Sequence, residues 1–365
     1  MTSNPRLIFK KCVGGGLPVV GEHIKFDNTP KIDLDNVPLK GGFLSKTLLL
    51  SPEPSMRERM RDPSLPSYTT AYNVGEIITG FGLVVVLRSE REGVKVGDYM
   101  YGITTWEAYT VQPYVEGRVD VTKYPPGTFD MDSLALQPVP NPNGMYPLSH
   151  YASILGTPGL TGYVGFQGII QGKEGETIFV SSGASGVGNM VIQLAKSKGM
   201  KVIASAGSDI KVEYMRSLGA DVPFNYKKES YDSVLAKNGP IHAFWDNVGA
   251  EALDAALAHA RNYARFAICG TAATDNVPNE ERYRLKNAHL IMKKCIKLYG
   301  FIVPDFLPQF MGQFLQEVPT MIGQGKLKSK ELLVEGIENA AQAIVDMLNS
   351  GHDVIGKPVV IVAKE

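Results

Sequence analysis

The chain has 365 residues, and its 37 Lys and Arg balance 37 Asp and Glu, so the formal net charge is zero. A protein built to hold a phosphate backbone shows a basic excess, so we expect no nucleic-acid partner. Hydrophobic residues at 44% and charged residues at 20% indicate a folded chain, and the length favours two domains. The apolar runs are far shorter than the ~18 residues of a membrane span, and no secretory signal begins the chain, so we expect no membrane partner and a cytoplasmic location.

The first part of the chain is a series of short β-like runs. They lie at 18–26, 42–50, 82–88 and 99–111, with Pro- and Gly-containing breaks between them. This pattern predicts a mainly antiparallel, barrel-like domain over residues 1–150. A cluster of Pro, Asn and Gly at 138–147 is the predicted linker.

After the linker, strand and helix patterns alternate. A strand at 177–182, a Gly-rich turn, a helix at 188–198 and a strand at 201–206 form a βαβ unit. Four further strands with helices between them predict a doubly wound parallel sheet, the Rossmann arrangement, over residues 151–322. The remaining segment, 323–365, is too short for a third domain, so we expect it to return to the first one.

The turn between the first strand and helix of this unit is rich in small residues. Small residues let the backbone approach a pyrophosphate, and the helix N-terminus supplies N–H groups and a positive dipole. Ser185 occupies the middle glycine place of G-x-G-x-x-G, and such a turn also occurs where only tight packing is needed. Because a complete βαβ series surrounds it, we interpret the turn as a dinucleotide site formed by Ser185, Gly186, Val187 and Gly188.

The end of the second strand indicates which dinucleotide binds. NAD sites usually carry an Asp or Glu there, whereas this chain has Ala206-Gly207-Ser208. Lys211 can meet a 2′-phosphate as a cation, with Tyr226 as a further donor, although a solvated helix face is the alternative for the lysine. We interpret Asp209 as a helix N-cap and not as a ribose ligand. The pattern favours NADP(H).

Short motifs occur in order along nearly the whole chain: LGTPGLTGY at 155–163, AGSDIK at 206–211, FNYK at 224–227, DNVG at 246–249 and ICG at 268–270. They resemble the medium-chain dehydrogenase/reductase superfamily. More narrowly, they are similar to its zinc-independent branch of leukotriene B4 dehydrogenase/prostaglandin reductases and NADPH-dependent double-bond (alkenal/enone) reductases. The resemblance implies a GroES-like substrate domain formed by both termini, a central Rossmann domain with the active site between the two, and a homodimer. It also implies reduction of the carbon–carbon double bond of α,β-unsaturated aldehydes and ketones by hydride transfer from NADPH to the β-carbon.

The resemblance also assigns site residues by position. The cofactor contacts it implies are the turn 185–188 with Ser208, Lys211, Tyr226 and Asn247, while the nicotinamide side is lined by Cys269, Gly270, Thr271, Phe301, Ile302 and Val303. The substrate-pocket residues are Ser55, Phe81, Trp106 and Tyr109, and plain core packing is the alternative for the three aromatic ones.

Three departures from the family pattern leave the substrate shape and the proton donor open. Ser55 stands where the family commonly has a pocket tyrosine, Lys293 where plant-type members have a tyrosine proposed to help protonation, and Asp275 where a cofactor-loop tyrosine is usual. The candidates for the proton donor are Tyr68, Tyr72, Tyr283, a bound water and the cofactor ribose hydroxyl.

The cysteines and histidines suit no metal site. Cys12, Cys269 and Cys295 lie far apart in the sequence, and the histidines show no ligand spacing, so we expect no metal.

Enone reduction is the first functional hypothesis. Quinone reduction, hydroxy-lipid oxidation on the same scaffold, and an NADP-binding protein without catalysis are the alternatives.

Overall fold

The computed structural model describes residues 1–113, 128–139, 144–349 and 355–364. The chain divides into two compact units, the first formed by the described residues of Met1–Ala152, Glu331–His352 and Pro358–Glu365, the second by those of Ser153–Lys330 and Asp353–Lys357. In this division the N-terminal unit resumes at residue 331, whereas the returning segment was predicted to start at 323. Residues 140–143 of the predicted linker lie outside the described part of the chain.

The elements of the first 152 residues are mostly strands: β1 (Thr2–Ser3), β2 (Arg6–Phe9), β3 (Ile24–Asp27), β4 (Lys31–Ile32), β5 (Phe43–Leu50), α1 (Ser55–Arg59), β6 (Thr79–Ser89), β7 (Tyr99–Thr105), β8 (Tyr109–Gln112) and β9 (Gln137–Pro138). Strands and helices alternate in the second unit: α2 (Thr157–Gly165), β10 (Thr177–Val180), α3 (Gly186–Ser197), β11 (Lys201–Ala206), α4 (Asp209–Ser217), β12 (Val222–Asn225), α5 (Tyr231–Asn238), β13 (Ile241–Asp246), α6 (Ala250–His259), β14 (Ala260–Ile268), α7 (His289–Lys293), β15 (Lys297–Gly300) and α8 (Leu307–Gly323). The last elements are β16 (Glu331–Glu335), α9 (Ala340–Leu348) and β17 (Lys357–Ile361).

The main sheet of the first unit has the order β16-β17-β5-β6-β7-β9, and β8 also pairs with β5. β5 pairs antiparallel with β6, β8 and β17, with Val360 of β17 opposite Leu50. Leu50, Trp106, Ile344 and Val360 belong to one buried core cluster. Strands from both ends of the chain therefore share one sheet and one core.

The single strand predicted at 99–111 is two strands, β7 and β8, and the break has a physical cause. Glu107 turns inward, where its carboxylate accepts hydrogen bonds from the hydroxyls of Thr105 at 2.7 Å and Thr110 at 3.0 Å. Burial raises the pKa of this carboxyl group, and the two hydroxyl donors oppose that shift. Satisfying a buried acid interrupts the strand pairing at this point.

The six strands of the second unit form a parallel sheet in the order β12-β11-β10-β13-β14-β15. In chain order this is 3-2-1-4-5-6, the Rossmann order. Both faces are covered, because Ile178 and Val180 of β10 belong to one core cluster while Phe179 between them belongs to another. The predicted fold class, a Rossmann sheet with a mainly antiparallel second domain, is confirmed.

Among the helices of the described residues, none combines the length and the apolar character that crossing a membrane requires.

Candidate functional site

The residues predicted to hold a cofactor follow the carboxyl ends of the six parallel strands. Taken along the chain, they are 185–188 after β10, Ser208 after β11, Tyr226 after β12, Asn247 after β13, Cys269 to Thr271 after β14, and Phe301 to Val303 after β15. Parallel strands place these ends on one edge of the sheet. Open α/β sheets bind ligands at that edge where the strand order reverses, which here lies between β10 and β13.

The Gly-rich turn after β10 is held by its serine. The Ser185 hydroxyl donates to the Ser182 carbonyl at 2.8 Å and accepts from the Gly188 N–H at 3.0 Å, so Ser185 caps α3. A Cβ on Gly188 would lie 2.4 Å from the Ser182 carbonyl oxygen, which only glycine avoids. The serine in the middle glycine place therefore fixes the turn, and the glycine lets the helix approach the strand end.

A buried carboxyl group links the ends of β10 and β13. Asp246 has no exposed surface, and its Oδ1 accepts from the Ser181 hydroxyl at 3.0 Å, the Val248 N–H at 2.9 Å and the Gly249 N–H at 2.8 Å. Its Oδ2 has no hydrogen-bond partner among the described residues. Burial raises the pKa of the Asp246 carboxyl, and the three donors oppose that shift.

The same residue also holds the end of β14. The Asp246 carbonyl oxygen accepts from the Cys269 N–H at 2.8 Å and the Gly270 N–H at 3.0 Å. A Cβ on Gly270 would approach the Asn247 carbonyl oxygen to 3.1 Å, so the two turns lie in close contact. Two of the predicted cofactor residues, Cys269 and Gly270, are thus positioned by one aspartate, and Gly270 packs against Asn247.

Asn247 is held on several sides. Its Nδ2 donates to the Ser181 carbonyl at 2.7 Å, its Oδ1 accepts from Trp245 Nε1 at 3.0 Å, and its backbone N–H donates to the Ser181 hydroxyl at 2.8 Å. Burial, and then the charge of Asp246, raise the pKa of the Cys269 thiol to about 12. Cys269 is half-buried, and its thiol is therefore uncharged at neutral pH.

The ends of β11 and β12 form the other half of the site. A Cβ on Gly207 would lie 2.9 Å from the Tyr226 hydroxyl oxygen, so the tyrosine lies against the end of β11. Tyr226 stacks on Tyr231 with 5.6 Å between ring centroids, and burial raises the pKa of Tyr226. Ser208 precedes α4 with its hydroxyl buried, and half-buried Lys211 is in the first turn of that helix.

Asp209 is not the N-cap that the sequence indicated. Ser208 occupies that position, and Asp209 is the first helical residue. Its carboxylate accepts from Asn225 Nδ2 at 2.9 Å and from Lys228 Nζ. The hydrogen bond from Lys228, followed by that from Asn225, lowers the pKa of Asp209. Asp209 thus bridges to the end of the neighbouring strand instead of capping its own helix.

The residues predicted for the nicotinamide side differ in exposure. Phe301 packs edge-on against Trp245 and Phe306, each at 5.8 Å between ring centroids, and Ile302 and Val303 are half-buried. The exposed Thr271 donates its hydroxyl to Asp275 Oδ1 at 2.6 Å. Asp275, which replaces a family tyrosine, therefore closes a turn in this loop.

Tyr72 has a structural position. It is 5% exposed, its hydroxyl donates to the Thr79 carbonyl at 2.7 Å, and the Arg59 guanidinium lies 4.2 Å from its ring centroid. Arg59 in turn bonds to Asp132 at 2.8 Å, and burial raises the pKa of Tyr72 far above its ordinary value. A phenol so buried and committed to a backbone carbonyl is poorly suited to give a proton to a substrate.

The other two tyrosine candidates differ from each other. The Tyr283 hydroxyl donates to Asp254 Oδ2 at 2.9 Å, while Asp254 Oδ1 accepts the Lys286 and Asn287 N–H groups, so this tyrosine anchors a loop to α6. Burial and the Asp254 carboxylate raise the pKa of Tyr283. Tyr68 is 44% exposed.

Trp106, predicted for the substrate pocket, is a core residue. It has no exposed surface, and its Nε1 lies 2.7 Å from where a Cβ on Gly80 would be. Core packing, the alternative that the sequence left open, explains it. Phe81 is half-buried and stacks on Tyr101 at 5.8 Å, and Ser55 and Tyr109 are half-buried.

Sequence reasoning missed three contributors. Ser181 carries no sequence signal, and Asp246 was noted only as part of a strand-end motif. Lys228 was not identified, although it directly follows the FNYK motif. A second lysine there, together with the acid at the start of α4, was the signal that could have indicated the ion pair. Within the described ranges, no three His, Cys, Asp or Glu side chains cluster in a way that could hold a metal ion.

Comparison with known proteins agrees with this architecture. The family model described as zinc-binding dehydrogenase matches residues 186–319, and the model described as N-terminal domain of oxidoreductase matches residues 29–117. A zinc-type alcohol dehydrogenase-like protein of Schizosaccharomyces pombe is 34% identical over 100% of both chains. The NADP(+)-dependent 2-alkenal reductase of Nicotiana tabacum is 33% identical over 100% of this chain and 98% of its own.

Among solved structures, CurA of Vibrio vulnificus in complex with NADPH superposes with a TM-score of 0.84 at 27% identity, covering 99% of this chain and 100% of that one. The chain belongs to the medium-chain dehydrogenase/reductase superfamily, in the zinc-independent branch that its motifs resemble.

The bonds made by Asp246 lead to a stability prediction. In Asp246→Ala, three buried donors lose their acceptor, so we expect the free energy of unfolding to fall by about 2–4 kcal/mol. Asp246→Asn keeps an oxygen at the Oδ1 position and serves as the matched control, with a smaller loss. Urea unfolding followed by circular dichroism measures both, and equal stability of the two variants would contradict the role given to Oδ1.

Proposed function

We propose that this protein reduces the carbon–carbon double bond of α,β-unsaturated aldehydes and ketones. It is an oxidoreductase, and NADP(H) is its cofactor. The observation that carries the proposal is the row of dinucleotide-type groups at the carboxyl edge of the sheet, in a chain that matches an NADP(+)-dependent 2-alkenal reductase over its whole length. The part that we propose is the substrate class.

The residues at this edge fit the cofactor. The Ser185 turn with its close-packed Gly188 offers backbone N–H groups to a pyrophosphate at the start of α3. Asp209, an acid near the end of β11, is paired with Lys228, so its charge is offset where a 2′-phosphate would meet Lys211 and Tyr226. When bound, NADPH supplies the hydride for the substrate β-carbon.

The rest of the chemistry requires orientation and one proton. Rigid turns around Asp246 hold Asn247, Cys269 and Gly270 in fixed positions, which favours a reproducible alignment of the reacting groups. Conjugation carries the developing charge to the carbonyl oxygen, so no Lewis-acid metal is required. The hydroxyls of Tyr72 and Tyr283 donate to the Thr79 carbonyl and to Asp254, which makes both poor proton donors. The other candidates for the α-carbon proton are Tyr68, a bound water and the ribose hydroxyl.

We also propose that the chain forms a homodimer through β15. This strand is an edge of the parallel sheet, all four of its residues are exposed, and Leu298 and Tyr299 are 40% and 52% exposed. An open edge that carries large apolar side chains can pair with a second copy of itself. The cytoplasmic location stays a prediction.

A panel of electron acceptors tests the substrate class. Purified protein with NADPH should consume the reduced cofactor with simple enones and 2-alkenals, as followed by absorbance, and the product should retain its carbonyl group. Turnover with quinones alone would favour quinone reduction, and oxidation of hydroxy-lipids with NADP⁺ would favour the reverse activity. Tight NADPH binding without turnover on any acceptor would identify a protein that binds the cofactor without catalysis.

Lys211→Ala tests recognition of the 2′-phosphate. Because a charge-assisted contact to phosphate is lost, we expect the affinity for NADPH to fall at least about tenfold while that for NADH hardly changes. Fluorescence titration measures both dissociation constants. Lys237→Ala, on the exposed end of α5, removes the same charge elsewhere and should leave both constants unchanged. Equal weakening of NADPH and NADH by Lys211→Ala would reject the role of this lysine.

The dimer proposal predicts a mass of twice the 39.7 kDa of one chain. Tyr299→Asp places a charge in the proposed interface, so light scattering should show a shift toward the monomer with an unchanged circular dichroism spectrum. Val96→Asp, at a position 68% exposed in the other unit, is the control and should remain dimeric. A Tyr299→Asp protein that stays fully dimeric would place the interface elsewhere.

A further inference from the structure

An ion pair closes the gap between the ends of β11 and β12. Ala206 of β11 is paired with Asn225 of β12, and beyond this point Asp209 receives Asn225 Nδ2 at 2.9 Å and Lys228 Nζ. The two partners of the ion pair are each 65% exposed, so the pair lies at the surface where a polar ligand can approach.

The bridge is flanked by the two residues assigned to the 2′-phosphate. Lys211 is two positions after Asp209 in the first turn of α4, and Tyr226 comes directly after Asn225 with its hydroxyl against Gly207. An acid at the end of the second strand commonly binds the ribose 2′-hydroxyl in NAD enzymes and repels a phosphate at that place. This chain has no acid at the strand end itself, but Asp209 follows three residues later, and Lys228 offsets its charge.

We propose that Lys228 is a specificity-determining residue for the cofactor: it neutralises Asp209 and draws its carboxylate toward β12, so that the 2′-phosphate is accepted. Lys228 acts through Asp209 and is a positioning residue. Without Lys228, the negative charge of the Asp209 carboxylate would be uncompensated beside the phosphate. Like charges that lie close together repel each other even in water. This inference rests on NADP(H) as the cofactor and is independent of which substrate is reduced.

Binding of two small probes to the full-length protein isolates this effect from catalysis. Adenosine 2′,5′-bisphosphate carries the 2′-phosphate, and 5′-AMP lacks it. By isothermal titration calorimetry, Lys228→Met should weaken the bisphosphate about fivefold and leave 5′-AMP within about twofold, the size expected for an exposed charge pair. Lys227→Met, the neighbouring exposed lysine, removes the same charge and is the matched control, with both affinities unchanged.

A second background identifies the route of the effect. In Asp209→Asn there is no carboxylate to neutralise, so Lys228→Met added to it should change bisphosphate affinity by less than about twofold. An undiminished fivefold loss in that background would show direct contact of Lys228 with the phosphate and overturn the proposal. So would an unchanged bisphosphate affinity in Lys228→Met alone, or equal weakening of both probes, which would indicate a structural role. NADPH-dependent turnover is not part of the readout, so failure here is distinct from failure of the enone proposal.

Discussion

The arrangement of the candidate site depends on the buried Asp246 at the point where the strand order reverses. A carboxyl group without exposed surface is costly unless it is hydrogen-bonded, and here one oxygen receives a hydroxyl and two backbone N–H groups. Those donors belong to the turns after β10 and β13, and the carbonyl of the same residue holds the turn after β14. The requirement to satisfy one buried acid thus ties three strand ends into a single rigid edge.

The sequence predicted the features that local patterns determine. Runs of apolar residues predicted the six parallel strands because both faces of such a sheet are buried, and small residues before a helix predicted the turn at Ser185. Contacts between distant residues were beyond its reach. Asp209 was read as a cap for its own helix because its partner Lys228 lies 19 positions away, on another strand end. The Arg59 to Asp132 pair spans 73 positions and left no trace in any pattern.

The aromatic residues also show what the sequence alone could not predict. Residue type indicates what a side chain can do, whereas burial and hydrogen bonding decide what it does. Trp106 and Tyr72 suit a pocket or a proton transfer by type, yet one is fully buried and the other is bonded to a backbone carbonyl. Only the fold distinguishes them from Tyr68, which is 44% exposed. Ser55, Lys293 and Asp275 stand where the family has tyrosines. For the same reason, residue type alone does not show which other tyrosine of the chain takes over their roles.

The two halves of the site, around Asp246 and at the ends of β11 and β12, are stabilised by different kinds of interaction. Asp246 and Ser181 have no exposed surface and are hydrogen-bonded to each other, so solvent ions have little access to them and salt hardly weakens their bond. At the ends of β11 and β12 the Asp209 to Lys228 pair is exposed, and its strength falls as ionic strength rises. A chain of zero net charge can still recognise an anionic group, because recognition depends on a few local charges. Here Lys228 offsets Asp209, and Lys211 is the cation that we propose for the phosphate. Salt should then act on recognition of the phosphate and leave the geometry at the other strand ends unchanged.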